Sequence, residues 1–158
     1  MRALGATLLV GAIAYIAFTY NSRTMSDNHP TASSDIRASL PAEAYRVMYE
    51  QSTEPAFSSP LYTEGRAGTY VTADTGLPVY RSEDKYDSGT GWPSFTKPID
   101  GSVELREDST LFAKRVEVVS KDTGAHLGHV FDDGPADKGG KRYCMNGVAL
   151  RFIPDDAQ

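Results

Sequence analysis

Cysteine is the scarcest resource in this 158-residue chain: Cys144 stands alone, which excludes an intrachain disulfide framework and any all-cysteine zinc site. Tryptophan is equally sparse, with Trp92 the sole example. Basic charge is also short, since 16 Lys and Arg against 21 Asp and Glu leave a formal net charge of −5 and a sequence pI of about 5.1. So acidic a chain lacks the basic face a nucleic-acid partner requires, and no nucleic-acid binding is expected. At 17.2 kDa it suits one ordinary domain and leaves no room for two sizeable cores.

Long hydrophobic runs are absent with one exception. From Ala3 to Tyr20 the sequence carries no charge, close to the lower length limit for a helix that spans a bilayer. No small-x-small cleavage pattern follows it, and no polar face appears at any helical period, so residues 1–20 are expected to be an uncleaved signal anchor or transmembrane segment. A cleaved leader is the alternative, and would make the protein secreted. Residues 21–35 are dominated by Ser, Thr, Asn, Asp and Pro and read as a flexible linker, in which His29 is a solvated residue. Arg2 and Arg23 offset Asp27 and Asp35, so the whole −5 belongs to the domain over 36–158. With Arg2 on the cytoplasmic side, the domain is expected to be membrane-anchored and exported, in a periplasm or its equivalent.

The domain opens with a helical pattern over Leu40–Met48, where Leu40, Ala44, Val47 and Met48 share a face, Pro41 suits the first turn and Glu43 favours the amino end. Short β-rich runs follow at Tyr70–Thr72, Leu77–Tyr80, Val103–Arg106, Leu111–Val119, His126–Phe131 and Arg142–Phe152, separated by turn chemistry such as Asp122-Thr123-Gly124. This predicts a mainly β fold, an antiparallel sheet or small barrel with a peripheral N-terminal helix.

Thr72-Ala73-Asp74-Thr75-Gly76 and Ser120-Lys121-Asp122-Thr123-Gly124 repeat one pattern. Paired Asp-Thr-Gly triplets suggest an aspartic protease, but Lys121 before Asp122 and the small Ala73 before Asp74 deny the carboxylates a buried apolar strand tip. Two turns in which Asp and Thr bond the local backbone explain the echo better.

The chemistry concentrates between His126 and Asn146. In a strand, alternation places Arg142, Cys144 and Asn146 on one face, and a cation beside a thiol is a setting that lowers its pKa. A buried thiol is otherwise a small hydrophobe. His126 and His129 are three apart and would face opposite sides of a regular strand, so both reach one site only through a backbone deviation, which Gly128 permits. With Asp133 they form a candidate proton-handling cluster for a nucleophilic Cys144. In Asp87-Ser88-Gly89-Thr90-Gly91-Trp92-Pro93-Ser94-Phe95, Trp92 and Phe95 either plug the core or line a pocket that accepts an apolar group such as a methyl.

The strings TEPAF (53–57), DSGTGWPSF (87–95), GAHLGHVFDDGP (124–135) and RYCMNG (142–147) resemble the methionine-R-sulfoxide reductases of the B type, over about Leu40 to Pro154. The resemblance implies two antiparallel β-sheets in a distorted barrel, no organic cofactor, and reduction of the R epimer of methionine sulfoxide, free or in protein. On the matching positions Cys144 is the nucleophile; His126, His129 and Asn146 arrange the sulfoxide oxygen and its proton supply; Trp92 holds the substrate methyl; Asp133 and Arg142 orient and tune the site.

Two departures matter. Many members clamp a structural zinc with two Cys-x-x-Cys pairs, whereas the aligned positions here are Thr72, Thr75, Ser120 and Thr123, whose hydroxyls are poor zinc ligands. Thr90 stands where some members place a resolving cysteine. The expectation is a metal-free, monomeric, one-cysteine enzyme recycled by an external thiol such as a thioredoxin-like protein or a small thiol. Two other classes remain open: a transition-metal site of His126, His129, Cys144 and Asp133 in a β-barrel oxygenase, and a non-catalytic anchored module binding through Trp92.

Overall fold

Two α-helices lead into the sheets in the computed structural model, which describes residues 34–108 and 114–156. The expected anchor and nearly all of the linker lie outside the described residues. Ser34 and Asp35, the end of that linker, are the first residues of α1 (Ser34–Ser39). Among the described residues no helix is long and apolar enough to cross a membrane.

The predicted helix is α2 (Ala42–Glu50), shifted two residues toward the carboxyl end because Pro41 sits at its N-cap and Gln51 stops it in the left-handed conformation, φ 54°. Its buried face is Ala44, Val47 and Met48, the face the 3.6-residue period selects.

Nine strands follow among the described residues: β1 (Gly68–Thr72), β2 (Pro78–Arg81), β3 (Lys85–Tyr86), β4 (Ser94–Phe95), β5 (Val103–Asp108), β6 (Arg115–Ser120), β7 (His126–Phe131), β8 (Arg142–Met145) and β9 (Leu150–Pro154). They form a three-stranded sheet in the order β2-β1-β9 and a six-stranded sheet in the order β3-β4-β8-β7-β6-β5. Every pairing is antiparallel. The mainly β expectation holds, with two sheets that do not join into a closed barrel.

The run Arg142–Phe152, expected as one strand, is two. A 3₁₀ turn at Gly147–Ala149 carries the chain from β8 in the larger sheet to β9 in the smaller. Such a break frees backbone donors that cost free energy when buried unpaired. Glu54 takes them: its carboxylate accepts the N–H of Gly147 at 2.6 Å and of Val148 at 2.9 Å.

Between the sheets Tyr80 stacks on Phe95 at 4.2 Å and 17°, and Tyr70 meets Phe95 edge-on at 4.9 Å and 72°. Val118, Leu127 and Met145 complete this core, all fully buried. Phe95 is therefore corrected from pocket lining to core. Its register explains why: Phe95 pairs with Tyr143, so it faces away from the side on which Cys144 points.

The two echoing turns share one backbone geometry. Gly76 N–H donates to Thr72 O and Gly124 N–H to Ser120 O, with both glycines at positive φ. Asp74 joins them to α2, accepting hydrogen bonds from Thr123 Oγ1 at 2.9 Å and from the Tyr49 hydroxyl at 2.8 Å.

Candidate active site

Strand register assembles the site. Across the six-stranded sheet, Tyr86, Ser94, Cys144, His129, Glu117 and Arg106 are successive cross-strand partners and so occupy one face. Arg142, two residues before Cys144, shares that face.

His126 joins the row through a bulge. Val118 pairs with Gly128 and Val119 with His126, leaving Leu127 as the extra residue, so the two imidazoles meet at 5.2 Å between centroids. The deviation expected near Gly128 is thus centred on Leu127. Gly128 serves a different need: a Cβ there would lie 2.2 Å from Cys144 O, so only glycine lets β8 approach.

Each imidazole is held by a carboxylate that no motif marks in the sequence. His126 Nδ1 lies 2.7 Å from Glu117 Oε1, and His129 Nε2 lies 2.9 Å from Asp108 Oδ2. Arg115 pairs with the same Asp108 oxygen at 2.7 Å. His126 is 4% exposed and its Nε2 has no hydrogen-bond partner. Burial holds the pKa of His129 below the usual imidazole range, against the pull of Asp108, so at neutral pH its ring is uncharged.

A cavity of about 150 Å³ opens over the cysteine, lined among others by Cys144, His129, Asn146, Trp92, Phe131 and Arg115. A second, of about 350 Å³, adjoins it through His129, Arg115 and Thr53 and holds His126, Glu117 and Asp108. A larger one of about 450 Å³, between Tyr62 and Lys85, contains none of the expected site residues. Trp92 and Phe131 supply the aromatic walls, so Phe131 takes the part expected of Phe95. Its strand register offered that signal, because Phe131 pairs with Arg142 and shares the face of His129.

Asn146 is fixed on both sides. Its Oδ1 accepts the Glu54 N–H at 3.1 Å, and its Nδ2 donates to Leu127 O at 3.2 Å, leaving one amide hydrogen for the cavity. The indole N–H of Trp92 donates to Glu54 O at 3.2 Å. Glu54, itself 2% exposed, thereby ties the Trp92 loop, Asn146 and the β8–β9 turn together, and burial raises its pKa against its two backbone hydrogen bonds. Only its inclusion in TEPAF marked it in the sequence.

Asp133 does not reach the cavity. It grips Arg142 in a two-point pair, 2.9 Å at each contact, and the guanidinium lies 4.5 Å over the Phe131 ring. The thiol itself departs from expectation. Arg142, Thr90 and Ser94 pull its pKa down, but burial outweighs them and the net shift is upward. The cation alone, visible in sequence, predicts the wrong sign because desolvation depends on the folded surroundings.

The four positions where relatives carry zinc-binding cysteines do not suit the metal here. Thr72 Oγ1 and Thr75 Oγ1 bond each other at 3.2 Å, Thr123 is committed to Asp74, and neutral hydroxyls are unsuited to Zn²⁺. Among the described residues no group of three or more His, Cys, Asp or Glu is placed to hold a metal ion.

The lone thiol and the two imidazoles thus share one face of an antiparallel sheet. The SelR domain matches residues 40–154, and the chain belongs to that family, the methionine-R-sulfoxide reductases of the B type. Members reduce methionine sulfoxide with a thiol reductant. Among solved structures the chain is similar to the "Yippee-like" domain of Mis18, at 11% identity and a TM-score of 0.43, over 56% of this chain and 96% of that one.

Proposed function

We propose that this chain reduces the R epimer of methionine sulfoxide through Cys144 as a one-cysteine enzyme. The observation that supports this most directly is the placement of Cys144 and His129 as cross-strand partners at the floor of a cavity walled by Trp92. The substrate methyl packs on Trp92, and the sulfoxide oxygen faces His129 and the free amide hydrogen of Asn146.

Thiol and imidazole both start neutral, so the proton the oxygen needs is supplied by the thiol. Transfer to His129 gives a thiolate and an imidazolium held by Asp108. The thiolate attacks the sulfoxide sulfur to form an S–S bond, His129 returns the proton to the oxygen, and the oxygen then passes to the Cys144 sulfur as its bond to the substrate sulfur and the S–S bond both break, leaving a sulfenic acid and releasing methionine. The sulfur of Cys144 loses the two electrons that the substrate gains. His126, anchored on Glu117, lies behind His129 as a second proton carrier, and Arg142, locked by Asp133, lowers the cost of the thiolate. An external thiol then reduces the sulfenic acid. The reaction needs no metal, the domain acts as a monomer, and its setting is protein repair on the exported side of a membrane, anchored through residues 1–20.

The test is turnover of separated R and S epimers by the full chain and by Cys144→Ser. Reduction of R alone, lost in the variant, is expected. Turnover of S, or a Cys144→Ser enzyme that retains substantial activity, would sink the reading.

A further inference from the structure

The cysteine is not served by charge alone. Thr90 Oγ1 lies 3.9 Å from Cys144 Sγ, Ser88 Oγ lies 2.8 Å from Thr90 Oγ1, Ser94 Oγ lies 2.7 Å from Ser88 Oγ, and Ser94 Oγ also lies 3.2 Å from Trp92 O. These groups form a path from the sulfur to a backbone carbonyl, and Ser94, the cross-strand partner of Cys144, also bears directly on the sulfur.

Counting hydrogens gives its sense whenever Ser94 donates to the carbonyl. Each hydroxyl has one hydrogen to give, and the carbonyl can only accept. While Ser94 donates to Trp92 O, Ser88 must donate to Ser94 and Thr90 to Ser88, which leaves Thr90 as the acceptor for the S–H of Cys144. Four hydrogens then fill four links. Once the sulfur loses its proton, that order leaves the anion facing an oxygen lone pair. Rotating the hydroxyls reverses it: Thr90 donates to the sulfur, Ser88 to Thr90 and Ser94 to Ser88, three hydrogens in three links, with only the neutral carbonyl losing a donor. No proton passes along the path, because a carbonyl cannot take one; it leaves by the cavity side.

We infer that Ser94, Ser88 and Thr90 form a reversible hydroxyl chain that accepts from the Cys144 thiol at rest and donates to its thiolate during the reaction. The inference rests on the proposed role of Cys144 and adds Thr90 as the donor at the end of the chain, with Ser88 as a positioning residue and Ser94 both closing the chain and bearing on the sulfur itself. It gives Thr90, the site of a missing second thiol, a task of its own. Reversal by rotation suits a sulfur that must be neutral in a buried pocket and anionic in attack, whereas Arg142 favours the anion throughout. The other titratable groups facing the sulfur are Arg142 on β8, His129 on β7, Arg115 on β6 and Tyr86 on β3, and none belongs to the chain.

The experiment uses the full chain and measures thiolate ultraviolet absorbance and iodoacetamide alkylation of Cys144 against pH, alongside turnover of the R epimer. Thr90→Val keeps the shape and deletes the hydroxyl; its alkylation midpoint should rise by about one pH unit, roughly tenfold less thiolate at a given pH. Thr90→Ser should restore the wild-type midpoint, and Ser88→Ala should raise it by about half as much. An unchanged midpoint in Thr90→Val overturns the inference. If that variant fails to fold, an unchanged midpoint in Ser88→Ala overturns it equally. Failure of the functional reading looks different: the wild type would not turn over the R epimer, whatever the midpoints.

Discussion

Two aromatic residues three positions apart, Trp92 and Phe95, show how far a single residue's role depends on register. Phe95 is fully buried and stacked on Tyr80, and its truncation to Ala should cost about 3–5 kcal/mol of stability, the usual range for a core aromatic. Trp92→Ala should leave most of the stability but raise the KM for the R epimer, because the cavity loses a wall. Chemical denaturation and steady-state kinetics on both variants check this, and a Phe95→Ala enzyme of wild-type stability would contradict it. At Cys144 the prediction concerns pH. Its pKa is raised above the ordinary thiol value by burial, so the thiolate fraction in the substrate-free enzyme is smaller at neutral pH than for a free thiol and grows as pH climbs. Alkylation should therefore be slow at pH 7, and Arg142→Met, which deletes the opposing cation, should slow it further. Faster alkylation than a free thiol at pH 7 would contradict the burial argument.

At the scale of elements, β7 and β8 carry the site, and their contact turns on Gly128. The collision a Cβ would make with Cys144 O involves backbone on both sides, so no side-chain rotation relieves it. Gly128→Ala should separate β8 from β7, displace Cys144 from His129, and lower both Tm and kcat; a variant with wild-type Tm and activity would show that the strands tolerate the spread. Much of this level was legible from local pattern. Period-3.6 apolar spacing gave the face of α2, and β-rich runs between turns gave β1, β2, β5 and β7. What local pattern could not supply was partnership. The strands β3 and β4 are two residues each and leave no periodic trace, and the break after Met145 depends on Glu54, ninety-two residues from Asn146 in the chain. Glu117 sits between two valines in a strand, a carboxylate whose reason appears only when His126 arrives opposite across the bulge. The same dependence on folded context hid the sign of the shift at Cys144.

At the scale of the whole molecule, the deciding number is the single cysteine in 158 residues. In the proposed cycle each turnover takes two electrons from Cys144, and the chain holds no other thiol to form a disulfide with the resulting sulfenic acid. Thr90, which faces the sulfur, contributes a hydroxyl that cannot be oxidised in this cycle. With R-methionine sulfoxide in excess and no reductant, the enzyme should release one methionine per active chain and then stop. Quenched-flow counting of methionine checks the amplitude, and a dimedone-type probe should mark Cys144 in the stalled state. Adding a small thiol or a thioredoxin-like protein should pass through a mixed disulfide with Cys144 and restart turnover, at a rate set by the attacking thiolate. Methionine release well beyond one equivalent without reductant would refute the one-cysteine cycle, and a stalled enzyme that takes no sulfenic probe would refute its intermediate. The small volume between Trp92 and Phe131 adds a condition: a compact thiol should rescue the stalled state faster than a bulky one of equal pKa, because both must reach a sulfur that lines a cavity of about 150 Å³.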